Sequence, residues 1–133
     1  MARYFAIDEA NARLGAVRPL LEQLRADRDR VAELQAVLQR ERETNGSAEH
    51  AEQLAQREDE LREVVRRMQL AVAQIDEWGI TLRDIRAGLI DFPALAMGRP
   101  IWLCWRLDDG DQVDWWHEAN VGFDARRPLT ELT

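Results

Sequence analysis

The sequence predicts an α+β protein, mainly α, in which a long antiparallel, coiled-coil-like helical hairpin precedes a small antiparallel β unit. Two apolar stripes of helical period carry the first part of that prediction. A change of period beyond Gly79, with four of the five tryptophans in the last third, carries the second.

The first stripe runs Leu14, Val17, Leu21, Leu24, Val31 and Leu38, with Arg28 and Gln35 interrupting it in the same register. Alternating three- and four-residue steps place these side chains along one face of a helix. Asp8 is placed to cap the start by accepting a backbone N–H of the first turn. Pro19 removes one helical hydrogen bond and crowds the preceding turn, so with Gly15 nearby a kink or short break is expected over residues 15–19.

Turn formers cluster at Glu43-Thr44-Asn45-Gly46-Ser47, so the hairpin turn is placed near 43–47 with Ser47 as the N-cap of the second helix. The second stripe runs Leu54, Leu61, Val65, Met68, Val72 and Ile75, interrupted by Glu58, and closes at Trp78-Gly79, where glycine suits a C-terminal cap. Each helix of about 30 residues spans roughly 45–50 Å. Equal lengths and a short turn imply antiparallel packing over residues 8–78. Arg28, Gln35 and Glu58 read either as a polar layer that fixes register or as long side chains reaching solvent.

Residues 79–133 read as a Trp-rich β-hairpin subdomain of a single domain covering residues 1–133. Ile80–Ala87 is an irregular lead-in or helical turn, and Leu89–Phe92 a short strand ended by Pro93. Ile101–Leu107 and Gln112–His117 form the hairpin, joined by Asp108-Asp109-Gly110 as a three-residue loop with glycine in the left-handed position. That loop length opposes Leu103 to Trp115 and Ile101 to His117. One face, the core, then carries Ile101, Leu103, Trp105, Val113, Trp115 and His117. The other carries Trp102, Cys104, Arg106, Gln112, Asp114 and Trp116, with a Trp102–Trp116 cross-strand pair and an Arg106–Asp114 diagonal pair. Phe123 and Leu129 of the tail are expected to pack back onto this unit.

Composition narrows the function classes. The net charge is −7, and every basic residue is arginine. The N-terminal third is balanced in charge and the remainder acidic, which argues against a nucleic-acid partner. No apolar run approaches the roughly 20 residues that span a bilayer, and Met1–Asp8 lacks the apolar core of a signal peptide, so a cytoplasmic protein without a membrane partner is expected. A single cysteine, Cys104, excludes an internal disulfide.

The segments Gly88-Leu89-Ile90-Asp91-Phe92-Pro93, Leu103-Cys104-Trp105-Arg106, Trp116-His117-Glu118 and Gly122-Phe123, with Arg126 to Pro128, resemble the signature of a prokaryotic family, the domain of unknown function numbered 2203. Phe5 to Ala10 and Arg18-Pro19-Leu20-Leu21 extend the resemblance over nearly the whole chain. Ala6 departs from it, standing where such proteins are expected to carry a threonine. The resemblance implies no activity.

The most reactive residues are Asp91, Cys104, His117 and Glu118. Cysteine and imidazole bind zinc or form a nucleophile–base pair, and carboxylates complete either arrangement. No Cys-x-x-Cys and no His-Glu-x-x-His occurs, and the hairpin register sends Cys104 and His117 to opposite faces, so they are weak metal ligands and no cofactor is expected. On its own, His117 on an apolar face reads as a satisfied core histidine, Asp91 as a turn cap, and the Arg126-Arg127 pair as partners of carboxylates. The leading expectation is a non-enzymatic, homo-oligomerising interaction or scaffold module. Its helices assemble, and its β unit presents Asp91, Trp102, Arg106 and Trp116, with His117, Glu118 and Arg126 nearby, to a protein or small-molecule partner. The alternative is a small enzyme or a metal- or small-ligand-binding protein using Asp91, Cys104, His117 and Glu118.

Overall fold

The computed structural model describes residues 3–44 and 46–132; Asn45, one of the predicted turn formers, lies outside them. Helix α1 spans Ile7–Arg42 and α2 spans Ala48–Glu77. They are followed by β1 (Thr81–Asp84), β2 (Leu89–Ala96), β3 (Arg99–Trp105), β4 (Trp115–Glu118) and β5 (Arg127–Pro128). The strands form one antiparallel meander in the order β1-β2-β3-β4-β5.

The helix ends follow local chemistry, with one difference from expectation. Ser47 caps α2, its hydroxyl accepting the His50 N–H at 3.3 Å. At the other end Gly79 takes φ +83°. Its N–H donates to the Asp76 carbonyl at 2.9 Å and that of Ile80 to the Ile75 carbonyl at 3.2 Å. This pair of bonds closes a helix on a left-handed residue, and the buried Ile75 and Ile80 provide the accompanying apolar contact. Asp8 is not the cap of α1. Ala6 holds that position, where the Glu9 carboxylate accepts its N–H at 3.0 Å, and Asp8 belongs to the first turn. No break occurs at Pro19, and α1 runs through it. The ring is exposed, so the lost hydrogen bond falls on the solvated side while Leu14, Val17, Leu21 and Leu24 bind both halves to the core.

The helix seam drifts from the predicted heptad. Beyond Leu24, α1 buries Asp27, Leu34 and Leu38, leaving Arg28 and Gln35 exposed. On α2, Val64 and Ile75 are buried, whereas Val65 and Val72 are exposed. The polar layer is therefore Asp27 rather than Arg28: Arg67 donates to both its oxygens at 2.7 and 3.0 Å, and Gln23 adds a bond at 2.8 Å. Past this layer the hairpin narrows to Leu34, Leu38 and Val64, with ion pairs Arg30–Glu60 and Arg57–Glu41 bridging the helices.

The main core lies between the sheet and the half of the hairpin nearest it. Ile90, Phe92, Ala94, Ile101, Leu103, Trp105 and Trp116 pack on Ala10, Leu14, Val17, Leu21, Leu24 and Ile75. Residues 80–87, expected to be irregular, contribute β1. Strand β2 does not stop at Pro93 but continues to a two-residue turn at Met97-Gly98, both with positive φ. Pro93 is tolerated because its nitrogen and carbonyl face the edge left open where β1 ends, and the Phe5 N–H donates to that carbonyl at 2.7 Å.

The β3–β4 connection differs most from expectation. Asp108-Asp109-Gly110 is not a three-residue loop; the chain turns through a 3-10 segment at Leu107–Asp109 and rejoins the sheet only at Trp115. Leu107 is buried beside Gly88, where a Cβ would lie 2.5 Å from its side chain. Asp109 accepts the Arg106 N–H at 3.0 Å. Val113 is buried, and its N–H donates to Asn11 Oδ1 of α1 at 2.6 Å. Gly110, at φ +91°, accepts from the Trp105 indole through its carbonyl. The longer loop moves the register by one: Leu103 faces Trp116, Trp102 faces His117, and Cys104 faces Trp115. A one-residue slip turns every side chain of β4 to the opposite face.

Burial of Asp27 has a pH signature. The Arg67 hydrogen bonds hold its carboxyl below the ordinary 3.8, outweighing desolvation. A depressed folded-state value contributes stability above the unfolded value and loses it as pH falls through the folded one. The urea midpoint of the wild type is therefore expected to exceed that of Asp27→Asn at pH 7, and the gap to close as pH falls below about 3.8. A gap independent of pH from 7 to 2 would contradict the assignment.

Candidate functional site

The observed register brings three reactive side chains to the sheet face turned away from the helices. Asp91 on β2 is directly opposite Cys104 on β3, and His117 on β4 is opposite Trp102, one pleat along. Side chains of paired residues share a face, so all three project together. Their potential ligand atoms lie within 4.8 Å of one another, and each residue is buried.

Hydrogen bonds fix the His117 ring. Nδ1 lies 2.9 Å from the Glu118 carbonyl oxygen, which can only accept, so Nδ1 carries a proton. Nε2 faces Asp91 Oδ2 at 3.1 Å. The same oxygen accepts Arg83 Nε–H at 2.9 Å, while Asp91 Oδ1 is buried with no hydrogen-bond partner among the described residues. Arg83 reaches the site through an irregularity in the β1–β2 pairing between Leu82 and Asp84, and its guanidinium lies 4.8 Å from the Trp102 ring. Burial, and after it the Asp91 carboxylate, pushes the Cys104 thiol up to about 12, with Arg126 pulling the other way. A thiol so shifted is a poor nucleophile at neutral pH.

A cavity of about 400 Å³ opens beside the cluster, lined by Arg83, Leu89, Asp91, His117 and the Ala119–Phe123 loop. The other expected site residues are placed elsewhere. Trp116, expected on the presenting face with Trp102, is buried in the helix-facing core, its indole N–H donating to the Pro128 carbonyl at 3.2 Å. Its exchange with Trp115 is the direct result of the register slip. Trp102 is half-buried under Arg83. The Glu118 carboxylate faces away from His117 and pairs with Arg99 at 3.3 Å. Arg106 does not pair with Asp114: it lies 3.5 Å from Asp109 and stacks on Phe123. Arg126, 13% exposed, forks onto Asp109 at 2.8 and 3.2 Å between the Trp115 and Phe123 rings, so its donors are engaged by the protein.

Sequence reasoning missed Arg83 and Asp109. The alternation Ile80-Thr81-Leu82-Arg83 is the signal for strand β1, which places Arg83 beside Asp91. No local signal marks Asp109, which looks like a turn residue until its distant partner Arg126 is known.

The chain thus combines a two-helix hairpin and a five-stranded meander with a buried Asp–Cys–His cluster on the outer sheet face. The family model described as uncharacterized conserved protein (DUF2203) matches residues 3–129, and the chain belongs to that family. Among curated proteins and among solved structures, none matches the chain. No helix among the described residues is long and apolar enough to cross a membrane.

The thiol provides a test of this geometry. With its value raised from 9.0 to about 12, Cys104 should carry about a thousandfold less thiolate at neutral pH than an ordinary cysteine. Alkylation of the native protein is expected to be slower by at least that factor than after urea unfolding. Equal rates in both states would contradict the burial.

Proposed function

We propose that the protein is a self-associating interaction module whose contact surface is the apolar groove between α2 and β1. The observation that carries this reading is a cavity of about 730 Å³ on the flank of the hairpin. Val65 and Val72, 36% and 37% exposed, line it with Val31, Met68, Leu82 and Ile85. Val64 and Ile75 of α2 are buried, whereas Val65, Leu70 and Val72 are exposed, so this helix retains an apolar surface that the single chain does not cover. A contiguous apolar patch of this kind is a common mark of association. Two chains related by a two-fold axis would cover it with the same patch from each side, generating a four-helix arrangement. The acidic balance of the chain disfavours nucleic acid and anionic membranes as partners, and a lone reduced cysteine suits a cytoplasm.

A second reading, a metal- or small-ligand-binding protein, is supported by Asp91, Cys104 and His117 at the edge of the smaller cavity.

Light scattering coupled to size exclusion tests the first reading. The wild type is expected at twice 15.4 kDa, and Val65→Glu/Val72→Glu at the single-chain mass with unchanged helical circular dichroism. A wild type that stays at single-chain mass at millimolar concentration overturns it.

A further inference from the structure

We propose that Asp91, Cys104 and His117 form a binding site for one thiophilic divalent cation of the zinc class. The site lies on the opposite side of the sheet from the apolar groove and is independent of self-association.

Four features of the cluster carry the proposal. The first is the donor set: one carboxylate, one thiol and one imidazole, with ligand atoms within 4.8 Å of one another. This mixture of oxygen, sulfur and nitrogen suits zinc and its neighbours rather than magnesium or calcium, which take oxygen ligands. Zinc bonds of about 2.0–2.3 Å at tetrahedral angles place ligand atoms about 3.3–3.7 Å apart, so small side-chain adjustments suffice.

The second feature is the pre-set imidazole. Metal-bound histidines characteristically donate their other ring N–H to a carbonyl or carboxylate, which fixes the tautomer and the ring plane. His117 does this through Nδ1 to the Glu118 carbonyl at 2.9 Å, leaving Nε2 turned into the cluster. Its hydrogen-bond partner there among the described residues is Asp91 Oδ2 at 3.1 Å, an acceptor facing a ring nitrogen, a contact that requires a proton or a cation between them.

The third is the carboxylate. Asp91 is 2% exposed, yet its Oδ1 has no hydrogen-bond partner among the described residues, while Oδ2 is held by Arg83. A buried carboxylate oxygen left without a donor costs about 1–3 kcal/mol or more. A cation at Oδ1 satisfies it, with Arg83 as the outer partner that orients the group.

The fourth is access. Asp91 and His117 form part of the wall of the 400 Å³ cavity, through which the ion enters and from which water completes a fourth position. On binding, the Cys104 S–H bond breaks, its proton passes to solvent and the sulfur forms the metal bond. The proton between Nε2 and Oδ2 leaves to solvent as well, so that Nε2 can offer its lone pair to the metal. Thiolate and carboxylate then neutralise the dication and Asp109 matches Arg126, which leaves one net positive charge on the Arg83 guanidinium, 42% exposed and so solvated. Arg83 retains its stack on Trp102 and one exposed flank.

Cobalt(II) titration of the reduced, chelator-treated full chain provides the test. One equivalent is expected to saturate, with a near-ultraviolet sulfur-to-cobalt charge-transfer band and intense visible bands of four-coordinate metal, and one equivalent of zinc should displace it. Cys104→Ala is expected to abolish the charge-transfer band and His117→Gln to weaken binding by more than about a hundredfold; Arg99→Ala, outside the site, should bind as the wild type. A wild type without the charge-transfer band at excess cobalt overturns the proposal whatever the fate of the variants. So does a band that persists in Cys104→Ala.

Discussion

The pairing of β3 with β4 fixes which side chains meet on each face of the sheet, and it is itself fixed by the anchors of the loop between those strands. Leu107 drops into the core beside Gly88, Asp109 ties the loop to Arg126 and to the Arg106 N–H, and Val113 docks against α1 through Asn11. These contacts hold the chain off the sheet until Trp115. The consequence is an alternation in β4 that buries Trp116 against the helices and turns Trp115 and His117 outward with Cys104. Because strand side chains have a period of two, no intermediate arrangement exists. A shorter loop would bury His117 among leucines and separate it from Asp91.

The helical part of the molecule was open to reading in advance because its determinants are local. Ser47 caps α2 with its own hydroxyl, Gly79 supplies the left-handed residue that closes it, and the turn formers at 43–47 sit between two long periodic stripes. What the stripes did not reveal is the drift of the seam from a heptad. Ala10 to Leu24 of α1 pack on the strands as well as on α2, whereas Leu34 and Leu38 lie beyond that shared core, so the buried row of α1 turns from Arg28 to Asp27, and the row of α2 that meets it includes Val64 rather than Val65. That drift leaves Val65 and Val72 facing the groove rather than the partner helix.

The sheet was less legible, for reasons that differ along it. The assignment of Ile101, Leu103 and Trp105 to the core needed only the alternation within β3, and it holds. The assignment of β4 needed the loop conformation, which depends on Asp109 meeting Arg126, 17 residues away. Pro93 suggested a strand end because the open edge and its Phe5 partner, contributed from the start of the chain, leave no local trace. The Asp–Cys–His cluster stayed hidden for the same reason as β4: all three residues were singled out, but the register sent two of them to opposite faces.

The two sides of the sheet thus have separate chemistries. One is an apolar layer continuous with the helices, and the other a small polar pocket in which buried acid, thiol and imidazole are braced by arginines. The account of both sides rests on one register, which interstrand proton contacts in the isotopically labelled full chain report directly. Nuclear Overhauser effects are expected between the backbones of Cys104 and Trp115 and of Trp102 and His117. Contacts instead between Leu103 and Trp115 and between Ile101 and His117 would place Cys104 and His117 on opposite faces and contradict the account.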